Sequence, residues 1–169
     1  MKTSRRNRQR GQGMVEFVLV SIPLIFILIS IFEIARGMWI YHTIQYGVQQ
    51  GARYLVVHGE TCAKASTTCS VTVGDVAQVI KANSTGMNPG DFQVTLKSQS
   101  STLNCQPLSS CLSNGGQWPP AGESHPGFRV AVTGTFPFRS PLCMFWPGTK
   151  PVGPLAVNLG ATATEEIRF

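Results

Sequence analysis

Apolar residues follow three rhythms along this chain. From Met14 to Phe32 they are almost continuous, a run of Val, Leu, Ile and Phe interrupted by Glu16, Ser21, Pro23 and Ser30. Nineteen residues make a helix of about 28 Å, close to the ~30 Å hydrocarbon core of a bilayer. The run therefore predicts a transmembrane helix. From Ile40 the spacing opens to three or four residues, and Ile40, Ile44, Val48, Ala52 and Leu55 fall on one stripe. Thr43, Gln45, Gln49, Gln50 and Arg53 fill much of the remaining surface. This is an amphipathic continuation of the same helix, with the stripe expected to bury against the protein's own sheet. Val71–Ala82 repeats the pattern briefly through Val76, Val79 and Ile80, then ends in the turn signals Asn83-Ser84-Thr85-Gly86 and Asn88-Pro89-Gly90.

Beyond Asp91 the period drops to two. Phe92–Lys97, Phe128–Phe136 and Leu155–Arg168 alternate as strands do. The stretches between them, Ser98–Gly127 and Pro137–Pro154, have no apolar period and are expected to be long loops. The order of elements predicts an α+β fold: a long N-terminal transmembrane and amphipathic helix packed on a small antiparallel sheet, with a short second helix.

Several local signals refine this picture. Pro23 removes one helical hydrogen bond and is expected to kink or loosen the helix. Glu33 and Arg36 are one turn apart and are expected to pair at the outer membrane boundary, where Trp39 and Tyr41 follow as an interfacial belt. Gly47-x-x-x-Gly51 permits close approach of another backbone. Packing on the protein's own sheet is the plain reading, and contact with a neighbouring subunit is the alternative.

Charge sharpens the topology. The formal net charge is +6, but Lys2, Arg5, Arg6, Arg8 and Arg10 all lie in the first eleven residues, where there is no acid. Without that segment the charge is close to +1. By the positive-inside rule these cations hold the N-terminus in the cytoplasm. A nucleic-acid-binding arm would interleave aromatic residues with its cations and would not run straight into a membrane helix. A cleavable secretory signal has a shorter apolar core and small residues at its cleavage site, where this chain would place Glu33.

All five cysteines follow the membrane run, which suits an oxidising compartment. Cys62 with Cys69, and Cys105 with Cys111, are close enough to close small disulfide loops, leaving Cys143 unassigned. Zinc would need tighter Cys spacing with His partners. Reduced thiols are the other alternative.

One acid is out of place. Glu16 lies near the start of the apolar run, and a carboxylate at a helix centre in lipid costs roughly 2.5–3.5 kcal/mol, less near an end. A bare anchor has no use for it. A basic leader ending in Gly11, then Gln12, then Glu16 and Phe17 ahead of a hydrophobic helix, resembles the prepilin processing signal of the Flp/Tad branch of type IV pili. Gln12 becomes mature residue one and Glu16 residue five. Cleavage after Gly13 would put Glu16 at three, which does not match. The continuation through Gln49-Gln50-Gly51-Ala52-Arg53-Tyr54 resembles the TadE-like minor pilins (pseudopilins), whose chains end in strands like Leu155–Arg168.

The resemblance implies three parts: a basic leader over 1–11, a transmembrane segment over 12–38, and a periplasmic or extracytoplasmic pilin-like domain over 39–169. It implies a single-pass inner-membrane protein that prepilin peptidase cuts between Gly11 and Gln12. In this reading Glu16 and Phe17 serve processing and assembly. The partners are other pilins, pseudopilins and Tad assembly proteins, with no nucleic acid. A non-filament membrane scaffold of the pilus machine, and an unprocessed bitopic protein of unrelated function, are the alternatives.

Enzyme chemistry has little support. No nucleophile motif, phosphate loop or metal-ligand helix is present, and His42, His58 and His125 have no catalytic neighbour at a suitable spacing. No catalytic residue, metal or cofactor is expected. Leu142-Cys143-Met144-Phe145-Trp146, between Pro141 and Pro147, is apolar and fits no regular element. Phe145 and Trp146 are therefore candidates for a contact surface, with a lid on the sheet as the rival reading.

Overall fold

A computed structural model of the chain describes residues 12–58, 71–139 and 156–167. It divides into two units, Met1–Met38 and Trp39–Phe169. Helix α1 runs Gln12–Val57 and contributes to both. It passes through Pro23, the residue expected to loosen it, and stays helical there. A transmembrane helix tolerates such a proline because neighbouring groups resatisfy the freed carbonyl.

The second unit builds an α+β domain around the amphipathic stripe of α1. Ile44, Val48, Ala52 and Leu55 are fully buried, and Ile40 packs partly against the same core. Helix α2 is Val73–Asn83 and buries Val76, Ala77 and Ile80. Its first residue, Val73, lies two residues inside the expected start at Val71, and Thr72 caps it. The Thr72 hydroxyl accepts from the Asp75 N–H (3.1 Å), and the Asp75 carboxylate accepts from the Thr72 N–H (3.0 Å). This reciprocal cap satisfies two backbone donors that the first turn leaves unpaired.

Four antiparallel strands follow: β1 Gln93–Lys97, β2 Thr102–Cys105, β3 Arg129–Arg139 and β4 Ala156–Glu166. Their order in the sheet is β2-β1-β3-β4. One face buries Val94, Leu96, Val130, Val132, Ala161 and Ala163 against the helices. Gly134 lies on that face, and a Cβ there would stand 2.7 Å from Val48 Cγ2 and 3.0 Å from Phe92 Cζ. Glycine is needed at that point because α1 comes so close.

Three expectations are corrected. First, Ser98–Gly127 is not a plain loop. The Ser98 N–H donates to the Ser101 carbonyl (2.9 Å) and turns the chain into β2. A 3-10 turn, Leu108–Cys111, follows. Leu108, Cys111 and Trp118 are buried, but turns rather than a strand or helix period space them. Second, Pro137 does not end β3. Pairing of β1 with β3 stops at Gln93↔Thr135, while β3 stays paired with β4 as far as Arg139↔Ala156. Beyond Thr135 one side of β3 has no partner strand among the described residues, and a residue without an N–H is tolerated there. Third, Gly47 and Gly51 do pack inside the domain, but against α2 rather than the sheet. A Cβ on Gly47 would lie 3.4 Å from the Ile80 carbonyl oxygen, and one on Gly51 would lie 2.6 Å from Ile80 Cγ1.

Candidate membrane-anchoring and assembly surfaces

In the first unit α1 carries its own chemistry. Apart from the half-buried Ile29, the described large apolar side chains from Met14 to Phe32 are about half exposed or more, as expected for a helix whose partner is lipid or other helices. The helix is long and apolar enough to cross a membrane. Its hydroxyls are satisfied internally: Ser21 donates to the Val18 carbonyl (3.1 Å) and Ser30 to the Phe26 carbonyl (2.8 Å). Glu16 and Phe17 are both exposed on this helix. Gln12 is its first described residue, and Gly11 lies outside the described residues.

The Glu33–Arg36 pair forms, with 3.7 Å between Arg36 Nη1 and Glu33 Oε1. The other carboxylate oxygen, Glu33 Oε2, is buried without a hydrogen-bond partner. The pair was legible from its spacing. The orphaned oxygen was not.

In the second unit Cys105 and Cys111 are joined, with their Cα atoms 5.6 Å apart. The bond ties the end of β2 to the end of the 3-10 turn, and both sulfurs lie in the core. Cys62, Cys69 and Cys143 lie outside the described residues, as do Phe145 and Trp146 of the expected contact surface. Among the described residues, no three His, Cys, Asp or Glu side chains are grouped as metal ligands would be.

Sequence reasoning missed one polar assembly. Glu123, from the loop after Trp118, accepts hydrogen bonds from the hydroxyls of Ser98, Ser100 and Ser101 and from the Ser100 N–H. Hydrogen bonds from the Ser100 and Ser98 hydroxyls, in that order, hold its carboxyl below the ordinary value of 4.5. The serines sit at the β1–β2 turn, so Glu123 clasps that turn to a loop more than twenty residues on. The solvent face of the sheet is also polar. Thr95 donates to Asn104 Oδ1 (3.0 Å), and the Thr133 and Thr162 hydroxyls are 3.0 Å apart.

An apolar membrane-length helix and an α+β domain of this order are the elements of a pilin-like fold. The TadE-like protein family model matches residues 11–53, so the similarity to that family lies in the N-terminal segment, from Gly11 to the buried stripe. No curated protein and no solved structure matches the chain.

Proposed function

We propose that this chain is a minor pilin, or pseudopilin, of a Tad-type pilus, cut by prepilin peptidase and then used to initiate or build the pilus. Its role is structural and not catalytic. Orientation follows from the basic segment: the N-terminus in the cytoplasm, the domain outside the inner membrane. The observation that carries this reading is Glu16, the one acid in a lipid-length apolar helix segment, within a TadE-like match that begins at Gly11. The domain beyond the helix favours a minor, initiating or tip role, because a major subunit of this branch is little more than the helix itself.

Cleavage after Gly11 leaves a new α-amino group on Gln12, four residues before Glu16. Both charges enter a low-dielectric bundle on assembly. An opposite charge within about 4 Å offsets much of that cost. In this reading the Glu16 carboxylate pairs with the N-terminus of a neighbouring subunit and sets its height. The rival is that Glu16 reaches back to the cytoplasmic headgroups.

The test has two arms. N-terminal sequencing of the mature protein from its host should begin at Gln12, and Gly11→Arg should abolish cleavage. Glu16→Gln should be inserted and cleaved but missing from sheared pili. Normal cleavage of Gly11→Arg removes the processing claim. Wild-type incorporation of Glu16→Gln removes the pairing role and favours a membrane scaffold of the pilus machine.

A further inference from the structure

Strand β4 ends the sheet, and the character of that edge invites a partner. Ile167 donates its N–H to the Phe128 carbonyl (2.8 Å), so its backbone faces β3. Backbone groups alternate sides along a strand. Asn158, Gly160, Thr162 and Thr164 therefore present their N–H and C=O groups to the open side. Pro137 obeys the same parity, since β3 residues of its register face β1, which has already ended. Among the described residues nothing pairs with the outer side of β4.

Exposed edges are normally blunted by lysine, proline, a bulge or shortness. β4 has none of these. It is 11 residues long, its register with β3 is unbroken, and its only charges are Glu165 and Glu166 at the C-terminal end. The opposite edge is managed: β2 is four residues long and tied off by the Cys105–Cys111 bond.

We propose that β4 pairs with β4 of a second copy of this chain, antiparallel about Ala161, to make a continuous eight-stranded sheet across a twofold axis. Charge selects the direction. A parallel pair would set each glutamate against its own copy, which is destabilising. In the antiparallel pair Gly160 faces Thr162 of the second copy, Asn158 faces Thr164, and Ala156 faces Glu166. Arg139 is the cross-strand partner of Ala156 and is exposed. That places it two strand spacings, about 10 Å, from the second copy's Glu166, within reach of an Arg–Glu pair. Glu166 has no ion pair of its own among the described residues. Among the described strands only β4 offers a long edge, so the contact is isologous and closes as a dimer instead of running on as a fibre. The inference stands apart from the pilus reading, because it needs neither cleavage nor a filament.

The experiment uses the full chain in detergent micelles, with amide exchange followed against protein concentration. The Thr162 and Thr164 amides should be about tenfold or more slower to exchange in concentrated than in dilute samples. Ala161 and Ala163, bonded to β3, should be slow in both. Thr162→Pro removes an N–H that the monomer does not use. It should abolish the concentration dependence while leaving exchange at Val130 and Val132 unchanged. Arg139→Glu should weaken the dimer, and Arg139→Glu with Glu166→Arg should restore it without touching the backbone. Fast exchange at Thr162 and Thr164 at every concentration overturns the proposal. So does slow exchange at every concentration, which would mean that the chain covers its own edge. Failure of the charge reversal to restore the dimer overturns the register.

Discussion

Replacing Gly51 by alanine sets two familiar effects against each other, and the geometry decides between them. In an exposed helix Gly→Ala is favourable by about 1 kcal/mol. Here the new Cβ would stand 2.6 Å from Ile80 Cγ1 and 2.9 Å from Ile80 Cδ1. Carbon contacts settle at roughly 3.5–4.0 Å, so the overlap is about 1 Å on two atoms. Ile80 is fully buried within the core, so any shift to relieve the overlap must displace its neighbours. Overpacking of this kind costs about 1–3 kcal/mol. With the overlap on two atoms the upper half of that range applies, leaving a net loss of about 1–2 kcal/mol. Amide exchange at Val130 and Val132, in the full chain, reports it: protection should fall roughly 5–30-fold, since about 1.4 kcal/mol is tenfold. Ile80→Ala removes both offending carbons, so in that background Gly51→Ala should become neutral or favourable, a coupling typical of residues in contact. If Gly51→Ala stabilises the natural chain by its helical preference alone, this face of α1 is not packed on α2 and the reasoning fails.

Four shorter predictions accompany it. Thr72→Ala should cost about 1 kcal/mol by removing the cap on α2, seen as faster exchange through Val76–Ile80. The Thr72 hydroxyl, and then its N–H, hold the Asp75 carboxyl below its ordinary 3.8; a depressed acid stabilises above its unfolded pKa and loses that contribution as pH falls through the folded one. The α2 cap should therefore be intact at neutral pH and fail below about pH 4, and a cap insensitive to acid would contradict the assignment. Replacing Cys105 and Cys111 together by serine should cost about 2–3 kcal/mol for so short a loop, and peptide mapping without reductant should also show whether Cys62 joins Cys69. Phe145→Ser with Trp146→Ser separates two roles: normal melting with failed pilus assembly identifies a contact surface, whereas degradation of the exported domain identifies a lid over the core.

The long helix was legible because lipid and core impose periods that apolar residues must follow. Ile44, Val48, Ala52 and Leu55 could be placed before any coordinates were known, and all are buried. β2 was hidden for the converse reason. Thr102-Leu103-Asn104-Cys105 is too short to display alternation, and the serines before it read as loop. Pro137 misled because the rule against proline in strands assumes two partner strands, and among the described residues β3 has one there. The clasp on the β1–β2 turn joins Glu123 to Ser98 and Ser100, positions more than twenty residues apart whose proximity only the fold creates. Of the candidate site, Glu16 announced itself as a charge in an apolar run, while the Glu33 oxygen without a donor required atoms to be seen.

The contact between Val48 and the backbone of Gly134 also has a bearing on how the domain is made. A chain delivered from its N-terminus presents the stripe of α1 long before β3 exists, with more than eighty residues still to arrive. During that interval Ile44, Val48, Ala52 and Leu55 have no sheet to cover them. The β1–β2 hairpin and the disulfide loop that follows it both form from neighbouring residues and can close early, as local contacts cost little loop entropy. They cannot shield the stripe alone, because Gly134, which packs on Val48, belongs to the strand that comes last but one. The cell therefore handles an adhesive half-finished species whose lifetime is set by how fast β3 follows. Substitutions that slow arrival or docking of β3 should lower yield through aggregation even where the finished domain is as stable as before.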